Sequence, residues 1–215
     1  MNCPRQRAED NAMRIGFFGG TFNPPHNGHL RLAEVWRERL ALDRFLMIPT
    51  GTSPHKTPAD VPGETRLAMC RLAAREAGGW LEASDFEVRR EGRSYSVITL
   101  SALHEQYPDS DFYMIMGADM FLSLETWYDF ERLKTLATFC AMPRDGVSAG
   151  ELEAYATHLA AIGCPGMVAD VPPMDVSSSG IRERVRKGLP IDGLVPTSVA
   201  RYIAENRLYQ SPPER

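Results

Sequence analysis

A chain of 215 residues with 43% hydrophobic side chains can bury one sizeable core without a partner, so a single domain is the default expectation. The net charge of −4 argues against a nucleic-acid surface, which needs clustered positive charge, and no apolar stretch approaches the length of a membrane span. Cys3, Cys70, Cys140 and Cys164 are scattered with no C-x-x-C pair, so they suggest neither a zinc knuckle nor a disulfide framework and read as small core or surface thiols.

Residues 1–12 are polar, with no periodic apolar face and no continuous apolar region of a signal peptide; a flexible arm ahead of a domain over 13–215, in the cytoplasm, is expected. Arg14-Ile15-Gly16-Phe17-Phe18 reads as a buried strand. It runs into Gly19-Gly20 and then into a helix starting near Gly28, with Leu30, Ala33, Trp36 and Leu40 on one face. Residues 44–49 form a second strand candidate. The segment 53–63 holds three prolines and reads as a loop over a site. Helical periodicity returns over 64–77 through Leu67, Cys70 and Ala74, strand-like residues over 80–89, and Ser94 is placed to cap the next helix. Residues 111–116 read as an apolar strand ending at Gly117, with later strands over 138–142 and 167–171. This alternation predicts an α/β fold with a doubly wound parallel sheet, Rossmann-like, its crossovers right-handed. In such sheets a ligand lies beyond the carboxyl ends of the strands, where Gly19, Gly20, Gly51 and Gly117 would gather.

The strongest motif is Gly19-Gly20-Thr21-Phe22-Asn23-Pro24-Pro25-His26-Asn27-Gly28-His29. Adjacent glycines let the backbone approach a ligand closely, and a helix start aims unpaired N–H groups and a partial positive charge at it, so an anion fits there. Two imidazoles three residues apart add donors suited to phosphoryl oxygens. No Lys stands where a Walker A loop needs one, and no two glycines stand two apart as a dinucleotide-binding loop requires. Metal ligation by His26 and His29 stays open, although a third ligand from His55 would bring Lys56 against the cation. Both histidines could also simply satisfy turn carbonyls.

The run ending in His-Asn-Gly-His resembles the H-x-G-H signature of the nucleotidylyltransferase superfamily, whose members join a nucleoside triphosphate to a phosphate-bearing acceptor. Ser53-Pro54-His55-Lys56, Ser94-Tyr95-Ser96, Gly117-Ala118-Asp119, Thr126-Trp127-Tyr128 and Val176-Ser177-Ser178-Ser179-Gly180-Ile181-Arg182 are similar, in order, to successive motifs of the bacterial nicotinate mononucleotide adenylyltransferases. The likeness covers roughly residues 13–209; Asn23 stands where many members have Asp, and Ser179 where many have Thr. The resemblance implies the nucleotidylyltransferase variant of the Rossmann-like fold, ATP and nicotinate mononucleotide as small-molecule substrates, and deamido-NAD as product. It implies an ATP site of Gly19, Gly20, Thr21, Phe22, His26, His29, Gly117, Asp119, Ser178, Ser179 and Arg182. On the acceptor side it implies His55, Lys56, Tyr95, Ser96, Trp127, Tyr128 and Arg144, with Trp127 stacking on the pyridine ring and N–H groups near Ser96 and Tyr128 receiving its carboxylate.

The chemistry also follows from the residues. A phosphate monoester with its second pKa near ~6 is mostly dianionic at neutral pH, so as nucleophile it needs no general base. Alignment and positive groups are what remain to be supplied, and His26, His29, Lys56 and Arg182 form that catalytic set. Mg²⁺ is expected, held mainly by substrate phosphates and water rather than by protein ligands. Plainer roles compete. Arg184, Arg186 and Lys187 suit a solvated helical face, Asp119 could cap a helix as well as accept from ribose hydroxyls, and Trp127 and Tyr128 could be core aromatics. Acceptors such as nicotinamide mononucleotide or phosphopantetheine remain alternatives, as does a non-catalytic nucleotide-binding regulator, though no charged motif residue is lost. A tRNA synthetase fails on length. Oligomeric state, including a homo-oligomer, is left open.

Overall fold

A computed structural model of the chain describes residues 12–52, 61–143, 146–169 and 174–210. In chain order these residues form β1 (Arg14–Gly20), α1 (Asn27–Leu40), β2 (Arg44–Pro49), α2 (Gly63–Ala77), β3 (Leu81–Ala83) and the single-turn α3 (Phe86–Arg89). There follow α4 (Ser96–Gln106), β4 (Asp111–Gly117), α5 (Ala118–Leu122), α6 (Phe130–Leu133), β5 (Thr138–Met142), α7 (Ala149–Ala161), β6 (Gly166–Val168), α8 (Ser178–Arg186) and α9 (Thr197–Glu205). All strand pairs are parallel, and the order β3-β2-β1-β4-β5-β6 makes one six-stranded sheet. The expected doubly wound α/β domain is therefore present. Its order reverses between β1 and β4, where a crevice opens at the carboxyl ends of the strands.

Alternation along the strands splits the apolar side chains between the two faces. Ile15, Phe17, Leu46, Ile48, Met114 and Phe139 join a core with Leu100 of α4, Phe121 of α5 and Leu152 of α7. Phe45, Met47, Ile115 and Cys140 face the other way, against Ala33, Trp36 and Leu40 of α1 and Cys70 of α2, with Leu30 packed at the margin as its helical phase requires. A third cluster joins Met69 of α2, Ile181 of α8, and Val199 and Ile203 of α9, which docks the C-terminal helices beside the start of α1. Cys70, Cys140 and Cys164 are buried, and burial pushes all three thiols above their ordinary pKa; Cys3 lies outside the described residues. Among the described residues no helix is long and apolar enough to cross a membrane.

Three expectations need correction. Residues 80–89 are not one strand: β3 covers only Leu81–Ala83, and Phe86–Arg89 turns into α3. There Asp85 bonds Arg89 at 2.6 Å and Arg71 at 3.1 Å, and the buried Glu87 carboxyl accepts from Thr99 Oγ1 at 2.7 Å, contacts that only a helical turn brings together. Ser94 does not cap α4, whose cap residue is Tyr95 with no side-chain bond; instead the Ser94 hydroxyl accepts from the Gly51 N–H at 3.2 Å. The last strand begins at Gly166 and ends at Val168, and residues 170–173 lie outside the described residues, as do 1–11 of the N-terminal arm and 53–60 of the proline-containing loop.

Candidate active site

The turn after β1 is built under strain and then clamped. Phe22 holds a left-handed φ of 48°, uncommon for a bulky residue, and such outliers cost roughly 1–3 kcal/mol and gather at functional sites. Its buried ring meets Phe18 and His29 edge-on, with centroids at 5.4 and 5.0 Å. His26 is the N-cap residue of α1 and His29 the third helical residue, and the two rings stack at 3.5 Å. The His26 backbone N–H donates to His29 Nδ1 at 3.1 Å. A neutral His29 accepting at Nδ1 carries its proton on Nε2, so the ring presents an N–H donor from that edge. Gly28 is required by packing: a Cβ there would stand 2.9 Å from Val176 Cγ1 and 3.0 Å from His26 Nδ1.

Elements distant in sequence hold this turn. The Ser178 hydroxyl donates to the Pro24 carbonyl at 2.8 Å, Arg182 Nη1 to the Asn23 carbonyl at 2.8 Å, and the Tyr209 hydroxyl to Asn23 Oδ1 at 2.7 Å. At Asn23, the departure from the related motifs, the side-chain oxygen thus accepts a hydrogen bond. Ser177 caps α8 by accepting from the Gly180 N–H, while Ser179 in the first turn is exposed. The first turns of α1, α4 and α8 contain no acidic residue, so nothing within them neutralises the positive ends of those helices. At α9 the chain supplies its own anion: Glu76 accepts from the Ser198 hydroxyl at 2.6 Å and from the N–H groups of Ser198 and Thr197, which draw its carboxyl below the usual pKa.

Beside the turn lies a cavity of about 130 Å³, enough for several waters or one planar ring, lined by Gly19, Gly20, Ser96, Gly117, Trp127 and Tyr128 among others. The Tyr95 and Tyr128 rings face each other at 4.5 Å, and Tyr128 is 60% exposed while Trp127 packs against the core. Ser96 opens α4, so its backbone N–H is among the first, intrahelically unpaired donors of that helix. Glu87, absent from the sequence expectations, also lines the cavity; burial pushes its carboxyl above the usual range while the Thr99 and Ser94 hydroxyls pull it back. No spacing rule links Glu87 to Thr99, so only the folded chain shows it. A Cβ on Gly51 would collide with the Glu87 carbonyl oxygen. Gly51→Ala is therefore expected to cost about 1–3 kcal/mol, read as a lowered melting temperature; an unchanged value would contradict the tight fit.

Other sequence candidates fall in several places. Gly19, Gly20 and Thr21 line the cavity, Phe22 supports His29 from behind, and Asp119 is the exposed second residue of α5, not its cap. His55, Lys56 and Arg144 lie outside the described residues. Arg184 donates to the Pro190 carbonyl and Lys187 pairs with Glu183 at 2.6 Å, as expected of a surface face. Among the described residues no three His, Cys, Asp or Glu side chains group as a metal cage. Imidazole, hydroxyl and guanidinium donors suit phosphate oxygens.

A parallel sheet with this switch point, an H-x-G-H helix start and a second helix, α4, opening onto the same crevice define a nucleotide-binding α/β protein, and residues 17–184 match the model of the cytidylyltransferase-like family. A protein of Geobacter sulfurreducens named "Probable nicotinate-nucleotide adenylyltransferase" is 42% identical over 92% of this chain and 98% of its own length. One of the same name from Bacillus pumilus is 37% identical over 92% and 99%. The chain belongs to the cytidylyltransferase-like family and, within it, to the nicotinate-nucleotide adenylyltransferases. The fold is shared with Plasmodium falciparum nicotinic acid mononucleotide adenylyltransferase complexed with NaAD, with a TM-score of 0.72 and 17% identity over 92% of this chain and 97% of that one.

Proposed function

We propose that this chain transfers the adenylyl group of ATP to nicotinate mononucleotide in NAD biosynthesis, in the cytoplasm. A phosphate oxygen of the mononucleotide bonds to the α-phosphorus of ATP, the bond from that phosphorus to the α,β-bridging oxygen breaks, and pyrophosphate leaves with the electron pair; the product is deamido-NAD. The observation that carries this reading is the juxtaposition, at the carboxyl ends of the central strands, of the His26–His29 helix start with the cavity formed by Ser96, Trp127 and Tyr128. The kinship with proteins of that name supports it independently.

In this reading His29 donates to the α-phosphate and His26 to the triphosphate as pyrophosphate departs, where charge accumulates. Arg182, with the first turn of α8 and the Ser178 and Ser179 hydroxyls, grips the β- and γ-phosphates, and Lys56 bridges the phosphates of donor and acceptor. Asp119, two residues after Gly117, accepts from ribose hydroxyls. Magnesium supplies neutralisation of the triphosphate charge when bound. On the acceptor side Trp127 offers a stacking face, the N–H groups at Ser96 and Tyr128 receive the carboxylate, and acceptor binding is further assigned to His55, Tyr95 and Arg144.

Those N–H donors predict the substrate preference. Nicotinamide mononucleotide would turn an NH₂ toward a donor, a buried mismatch costing about 1–3 kcal/mol, so the acid is expected to be preferred at least about tenfold in kcat/KM. The test incubates the protein with ATP, magnesium and nicotinate mononucleotide, nicotinamide mononucleotide or phosphopantetheine, and measures pyrophosphate release with identification of the product. Equal kcat/KM for acid and amide would refute the specificity and spare the reaction; release with phosphopantetheine alone would refute the acceptor class.

A further inference from the structure

We propose that Arg66 is a positioning residue for the reaction, fixing the turn after β1 relative to the turn after β2; this rests on the function proposed above. Arg66 lies in the second half-turn of α2, 4% exposed, in a helix whose other buried positions are mostly apolar. Its guanidinium donates to three backbone carbonyls: Nη1 to Thr21 at 2.8 Å, Nη2 to Thr50 at 2.7 Å and Nε to Val61 at 3.3 Å. Thr21 and Thr50 both line the cavity, each just past the end of one of the adjacent strands β1 and β2.

The sheet explains why these carbonyls need an outside donor. The ladder between β1 and β2 pairs Gly20 with Pro49, and the Thr50 N–H donates to the Gly20 carbonyl at 2.8 Å. Past that bond the two chains part, so the next carbonyls lose their strand partners just where the site begins. One planar fork in α2 then closes both. Among the described residues no ion pair joins Arg66 to a carboxylate, and the ionisable groups that act on it are Cys70 and Tyr209, while burial draws its pKa below the ordinary arginine value. A buried cation held by carbonyl dipoles is costly where stability is the only gain. Arg66 thus joins the turn of His26 and His29 to the wall of the acceptor cavity, and in-line transfer between two substrates depends on that separation. Lysine cannot replace it, because an ammonium on a flexible stem lacks the fixed fork that spans carbonyls on two chains.

The test compares the full chain with Arg66→Lys, Arg66→Ala and, as a control, Arg75→Ala, an exposed position in the last turn of α2. At saturating ATP and nicotinate mononucleotide, kcat is expected to fall about a hundred-fold in both Arg66 variants, as for a misplacement near 1 Å, with each KM changing much less. Added guanidinium should restore part of the activity of Arg66→Ala, and amide hydrogen exchange should accelerate at residues 20–22 and 50–52 while the core amides of α2 stay protected. Arg75→Ala should match the parent. A parental kcat in Arg66→Lys, or a loss that tracks only the folded fraction without local exchange, would overturn the proposal. If the parent protein transfers no adenylyl group, the functional reading fails, while accelerated exchange confined to the two turns would still establish the tie.

Discussion

His29→Ala is expected to lower kcat by roughly a hundred- to a thousand-fold while changing the KM for ATP far less, the usual result of deleting one preorganised donor that acts mainly in the transition state. The geometry gives that expectation its content. Nδ1 accepts from the His26 N–H, the rings of His26, Phe22 and Phe18 pack against the imidazole, and a neutral ring bonded in this way carries its proton on Nε2. Because the same ring accepts from the N-cap residue, its removal also unties the start of α1, a change worth about 1 kcal/mol of stability. His29→Gln separates the two effects, since an amide oxygen can accept that N–H but does not place a donor where the imidazole does. A near-normal kcat in His29→Ala would sink the assigned role.

Arg182→Ala is expected to reduce kcat/KM for ATP by about ten- to a hundred-fold, the equivalent of one charge-assisted hydrogen bond of about 1.5–3 kcal/mol. The KM for the mononucleotide should change only a few-fold. Arg182 donates one bond from α8 to the Asn23 carbonyl, so its loss slackens the turn leading to His26, in addition to removing the triphosphate contact proposed for it. Lysine at this position keeps the charge without the fork and should recover only part of the loss. Equal losses for ATP and mononucleotide would contradict a role at the triphosphate.

The sequence alone made much of this architecture legible because the signals were local. The strands over 44–49 and 138–142 coincide with β2 and β5, since short apolar runs between turn residues have little freedom to be anything else in an alternating pattern. The helix start at His26 to His29 was readable from Gly-Gly, proline and a 3.6-residue apolar phase. Residues 80–89 misled because Val88 and Phe86 look strand-like, and what turns them into α3 is the pairing of Asp85 with Arg71 and Arg89 and the burial of Glu87 against Thr99. Ser94 misled in the same way. A serine just ahead of a helix is a good cap, yet α4 begins one residue too late for Ser94 to serve, and the Ser94 hydroxyl is taken by the Gly51 N–H, leaving the N-terminus of α4 open toward the cavity.

The sequence by itself determined the doubly wound class, the strand–turn–helix that gathers His26 and His29, and the family to which those motifs belong, because each depends on neighbours a few residues apart. Only the tertiary structure decided what holds that turn in place. Its donors come from Arg66, Ser178, Arg182 and Tyr209, separated from their acceptors by 45, 154, 159 and 186 residues. Three of the four acceptors are backbone carbonyls, and every residue has one, so no residue type marks which carbonyl will be met; that choice is made by the way α2, α8 and the C-terminal segment pack around the edge of the sheet.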